Sequence, residues 1–112
     1  MSMRDAYTAI LVQGENWSGY CESEPYEAPW AAEALIFLRL LDGTTTRGGS
    51  EVRVQISPDG MHWVDEGTTI RVPTQDEVTF ARVREFGHYL RIVATLPDGV
   101  ECILHATLSL KS

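Results

Sequence analysis

Two Pro-Asp-Gly tripeptides, Pro58-Asp59-Gly60 and Pro97-Asp98-Gly99, constrain this chain most, because each follows a run of alternating apolar and polar residues. Proline presets φ at the first turn position, aspartate bonds the backbone ahead of it, and glycine takes the positive φ that other residues resist. Before the first turn, Val52, Val54 and Ile56 alternate with Glu51, Arg53, Gln55 and Ser57. A period of two puts apolar side chains on one sheet face and polar ones on the other. Ser57, Asp59, Gly60 and Trp63 are therefore expected to form a structural hairpin, with Trp63 filling the core.

The same alternation recurs along the chain. Residues 7–13 read as a first strand ended by Gly14, and residues 33–41 as a central strand buried on both faces and stopped by Asp42-Gly43. A loop over 44–50, a turn over Val64-Asp65-Glu66-Gly67, and strands over 68–72, 77–83, 88–96 and 101–110 complete the pattern. In the last strand Cys102, Leu104, Ala106, Leu108 and Leu110 form one stripe. About eight strands, turns every eight to twelve residues or so, and no convincing helix predict an all-β fold. The expected architecture is an antiparallel β-sandwich of jelly-roll type, one domain over residues 1–112.

Charge narrows the partners. Sixteen acidic against nine basic residues give a formal net charge of −7, which disfavours phosphate backbones and anionic lipid. Nucleic acid is not an expected partner. The longest apolar run, Ala34-Leu35-Ile36-Phe37-Leu38, falls far short of the roughly 20 residues of a bilayer span, so no membrane insertion is expected. No apolar signal core follows Met1, which favours a cytoplasmic or virion-associated protein. Cys21 and Cys102 lack metal-ligand spacing; free buried thiols are the simpler reading, one long-range disulfide the sharper alternative.

No catalytic constellation emerges. His62, His88 and His105 lie on separate strands or turns, and no nucleophile elbow or phosphate cradle is present. The expectation is a protein without enzymatic activity, cofactor or metal. Glu22 with Glu24, and Asp65 with Glu66, offer oxygen ligands of the kind calcium takes, but solvated acidic loops explain them more simply. The irregular stretch 14–32 is the best functional candidate. It interleaves Trp17, Tyr20, Tyr26 and Trp30 with glutamates and prolines. Such aromatics serve as protein-interface anchors, as platforms for sugar rings, or as plugs at the open end of a sandwich.

The hairpin Val54-Gln55-Ile56-Ser57-Pro58-Asp59-Gly60-Met61-His62-Trp63, with the later Phe86-Gly87-His88-Tyr89-Leu90-Arg91-Ile92, resembles the discoidin or coagulation-factor type C family of galactose-binding-like β-sandwiches. It is similar also to small sandwich proteins among phage and virion structural components. The resemblance covers roughly residues 51–96 and implies fold-making roles for Ser57, Asp59, Gly60 and Trp63, and for Tyr89 with Arg91. The expected function is a non-catalytic structural or interaction module, homo-oligomeric or particle-associated. The alternative is a carbohydrate-binding module using residues 14–32.

Overall fold

The computed structural model describes residues 6–41 and 49–112. Nine strands are described: β1 (Ala6–Ser18), β2 (Tyr20–Glu22), β3 (Tyr26–Glu27), β4 (Glu33–Leu40), β5 (Glu51–Ser57), β6 (Val64–Arg71), β7 (Val78–Arg84), β8 (Tyr89–Thr95) and β9 (Glu101–Lys111). Sheet I has the order β1-β9-β4-β7, and sheet II the order β2-β8-β5-β6 with β3 also on β8. Every strand pair is antiparallel.

β2 and β3 are two pieces of one interrupted strand, because they pair with successive stretches of β8: Cys21 with Ala94, then Tyr26 with Leu90. Between them, buried Ser23 keeps the ladder closed. Its N–H donates to the Ile92 carbonyl at 2.9 Å and its Oγ accepts the Ile92 N–H at 3.0 Å. Pro25, which has no N–H, ends the repair. Counted this way there are eight strands, and every connection except the β5–β6 hairpin crosses between sheets. This is the jelly-roll arrangement.

The core lies between the sheets and follows from alternation. Ala34, Ile36, Leu38 and Leu40 of β4, the Cys102-to-Leu110 stripe of β9, Val52 and Val54 of β5, and Leu90, Ile92 and Ala94 of β8 all point inward and are buried. Each large aliphatic side chain removed from water contributes about 1.5–3 kcal/mol. β4, expected to be buried on both faces, is buried on one. Its outward residues Leu35 and Phe37 are only half-buried, because among the described residues no further layer covers the outer face of sheet I.

The boundaries differ in two further places. β1 does not stop at Gly14; it runs on to Ser18 through register shifts between Ile10 and Val12 and between Val12 and Glu15. Gly14 makes this passage possible. Its φ is +57°, and a Cβ there would meet Leu41 Cδ1 at 2.9 Å. Likewise Val64-Asp65-Glu66-Gly67, expected as a turn, belongs to β6, which bulges over residues 66–68 opposite Val54 of the partner strand. Asp42-Gly43 and residues 44–48 of the expected loop lie outside the described residues. No helix among the described residues is long and apolar enough to cross a membrane.

Candidate functional sites on the two outer faces

The first turn organises the outer face of sheet II. Ser57 Oγ accepts the N–H groups of Asp59 at 3.2 Å and Gly60 at 2.8 Å and donates to Asp59 Oδ1 at 3.0 Å. Asp59 Oδ1 in turn accepts the Met61 and His62 N–H groups, each at 2.9 Å, while Oδ2 lies 2.7 Å from His62 Nδ1. The His62 and Met61 amides, then the His62 ring, hold the Asp59 carboxyl well below the usual carboxylate range. Gly60 adopts φ +78° at the turn.

Trp63 does not fill the core. It is half-buried, with the Arg91 guanidinium 4.2 Å from its ring centroid. The reason is parity: Arg91 pairs with Gln55, on the outward-facing set of β5 and β8, and Trp63 joins it there. Arg91 is the centre of a polar chain across four strands. Its Nε donates to Gln55 Oε1 at 2.9 Å, its Nη1 lies 3.1 Å from Glu22 Oε2, and Tyr20 Oη donates to the same Glu22 oxygen at 3.0 Å. On the other side Gln55 Nε2 donates to Asp65 Oδ1 at 2.9 Å, and Arg53 Nε is 3.6 Å from that oxygen. Glu22 holds the Tyr20 phenol in its protonated form, raising its pKa. At the far end of the face His88 Nε2 sits 2.6 Å from Glu27 Oε2, a contact that, with Tyr89, lowers the Glu27 pKa.

The four aromatics of 14–32 do not form one platform. Trp17 pairs with Cys102 on the inward side of sheet I and is 2% exposed, so it belongs to the core and is withdrawn from any surface. The shifts that extend β1 set this parity. Tyr20 joins the Arg91 chain on sheet II. Tyr26 and Trp30 do come together. With Ala6 and Tyr7 they line an open cleft of about 530 Å³. Tyr7 is the residue that sequence reading missed, since only the pairing of β1 with β9 brings residue 7 near residues 26 and 30.

The outer face of sheet I carries a different surface. Ile10, Thr107, Phe37 and Phe80 stand opposite one another across β1, β9, β4 and β7. Ile10 and Phe80 are more than half exposed, and the Phe37 and Phe80 rings stack with centroids 5.8 Å apart. Val78, also exposed, extends the patch. Arg82 and Arg84 flank it and share Glu33 at 3.2 and 3.8 Å.

Both cysteines are free thiols, and burial pushes Cys102 up to about 11. Among the described residues no three His, Cys, Asp or Glu side chains gather as metal ligands. Glu22 and Asp65 have the partners named above.

Residues 44–101, just over half of the chain, match the family model described as "Domain of unknown function (DUF6385)". The chain belongs to the DUF6385 family. The DUF6385 match spans β5 to β8 and so contains both the Ser57–Asp59 turn and the Trp63–Arg91 pair. No curated protein matches the chain. Among solved structures, the chain is similar to the crystal structure of SPBc2 prophage-derived protein YomS, with a TM-score of 0.65 and 7% identity. That likeness covers 100% of this chain and 97% of YomS, which shows a shared fold over the whole length.

Proposed function

We propose that this DUF6385 chain is a non-catalytic structural or interaction module, a self-assembling or particle-associated subunit of phage-virion type. The observation that carries the reading is the row Ile10, Thr107, Phe37 and Phe80 across the full width of sheet I, apolar except at Thr107 and uncovered by any other layer among the described residues. Exposed apolar residues in a contiguous patch rimmed by charge mark association surfaces. The whole-length fold shared with a prophage-derived protein supports the particle-associated form. Sedimentation velocity at micromolar concentration tests it. The wild type should sediment as an oligomer or with a partner particle, and Phe80→Lys should weaken that association with little change in stability. A clean monomer with no partner or particle association would sink it.

One observation favours carbohydrate binding as a second reading. Tyr26 and Trp30, two of the four aromatics, line one cleft with Tyr7, and sugar rings stack on such surfaces. The galactose-binding-like resemblance of residues 51–96 is consistent with it. Tryptophan fluorescence unchanged by any oligosaccharide, with a blank glycan array, would remove it.

A further inference from the structure

The jelly roll leaves four sheet edges, and three are protected. β2 and β3 are three and two residues long and are separated by Ser23-Glu24-Pro25. β6 carries Asp65, Glu66 and Arg71 and a bulge, and β7 carries Arg82 and Arg84. Short strands, proline, charge and bulges are the means by which sheets prevent edge-to-edge pairing. β1 lacks all of these along its first five residues. From Ala6 to Gln13 it reads Ala-Tyr-Thr-Ala-Ile-Leu-Val-Gln, with no charge and no proline, and its first register shift comes only after Ile10. Among the described residues, β9 is its sole strand partner. Ala6, Tyr7, Thr8 and Ile10 are exposed.

We infer that a second copy of this chain pairs antiparallel with the free edge of β1 over Ala6–Ile10, joining the two sheets I into one eight-stranded sheet. This rests on the self-assembling form of the function proposed above and adds an edge contact to the face contact around Phe80. Charge permits a second copy at this edge. Copies of a chain with net charge −7 repel at most approaches, and an uncharged edge is where that repulsion is least. The pairing is also self-complementary. A two-fold axis through Thr8, normal to the sheet, sets Thr8 opposite its counterpart, Ile10 opposite Ala6 of the second copy, and Tyr7 opposite Ala9 of the second copy. Residue parity is then kept, since Ala6, Thr8 and Ile10 share the outer face with Lys111, Ser109 and Thr107. The bulge after Ile10 ends the pairing, and the two apolar rows lie offset along the joined sheet, because Ile10 meets Ala6, whose own partner is Lys111.

The test is the mass of the full chain across a concentration series, by sedimentation and light scattering, for wild type, Thr8→Lys, Ile10→Lys and Phe80→Lys. Both β1 positions are exposed, so the fold should survive, with circular dichroism and melting as the check. Wild type should dimerise, and each β1 lysine should weaken the dimer by roughly tenfold or more. The alternate amides of residues 6–10 that face away from β9 should gain exchange protection as concentration rises, and those of β7 should not. If Phe80→Lys abolishes association while Thr8→Lys leaves it intact, the edge contact is wrong and the assembly reading stands, Ile10 belonging to both surfaces. A wild type that stays monomeric throughout overturns the edge contact and the self-assembling form together.

Discussion

The guanidinium of Arg91 lies 4.2 Å over the indole of Trp63, on the outside of sheet II and not within the core. The side chain of Arg91 is only 14% exposed, so the pair is largely shielded from water, where a cation over an aromatic face is worth about 0.5–2 kcal/mol. Trp63→Ala should therefore cost about 1–2 kcal/mol, well below the cost of deleting a core indole. A double-mutant cycle with Arg91→Met, read by urea denaturation, should give a coupling of about 0.5–2 kcal/mol. Additive effects would show that the stacking contributes nothing.

Trp17 is the opposite case. At 2% exposure against Cys102, its replacement by alanine should cost about 3–5 kcal/mol. That is a large part of the stability of a domain this size, so thermal melting should show a much lowered or absent transition.

Ser23 closes the gap between β2 and β3. Ser23→Ala would leave the buried Ile92 N–H without its acceptor, costing about 1–3 kcal/mol. Hydrogen exchange should place the loss at Ile92, and unchanged protection there would refute the repair.

Acid should loosen the turns first. Asp59 is held well below its usual range by the His62 and Met61 amides, and Glu77 is lowered to about 2 by Arg71, at 2.7–2.8 Å, and the Thr74 amide. Both carboxyls have folded pKa values below their unfolded ones. Their stabilisation is complete above about pH 5 and is lost as pH falls from there toward 2. Melting temperature should drop across that window, and Asp59→Asn with Glu77→Gln should flatten the drop.

The two thiols should differ in reactivity. Cys102 is buried with its pKa pushed up to about 11, whereas Cys21 is partly exposed. Thiolate is the reacting form, so a disulfide reagent at neutral pH should modify Cys21 and leave Cys102 until the protein unfolds. Equal rates would contradict the fold around Cys102.

Alternation made the strands legible. The stripes of β5, β8 and β9 read directly from sequence because each has one face on the core. The Ser57–Asp59 turn was equally local, as its hydrogen bonds stay within a few residues. What sequence could not show was parity across bulges and pairing across the sheet. Trp17 looked like a surface aromatic because the β1 shifts that turn it inward leave no signal beyond Gly14. Trp63 looked like a core residue because its contact, Arg91, lies 28 positions away on a strand whose neighbours are fixed only by topology. Tyr7 with Tyr26 and Trp30, and Arg91 with Gln55 and Glu22, were unreadable for the same reason.

The first and last described strands are partners, and Ala6 stands opposite Lys111. A load applied through those two residues would therefore pull apart one antiparallel pair from its open end, breaking cross-strand bonds one after another instead of all at once. Anything joined before Ala6 and after Lys111 would leave the sandwich at one shared corner, beside the cleft of Tyr7, Tyr26 and Trp30. Tension through both would unzip the protein at a force far lower than a sheared sheet withstands, starting at the free edge strand itself.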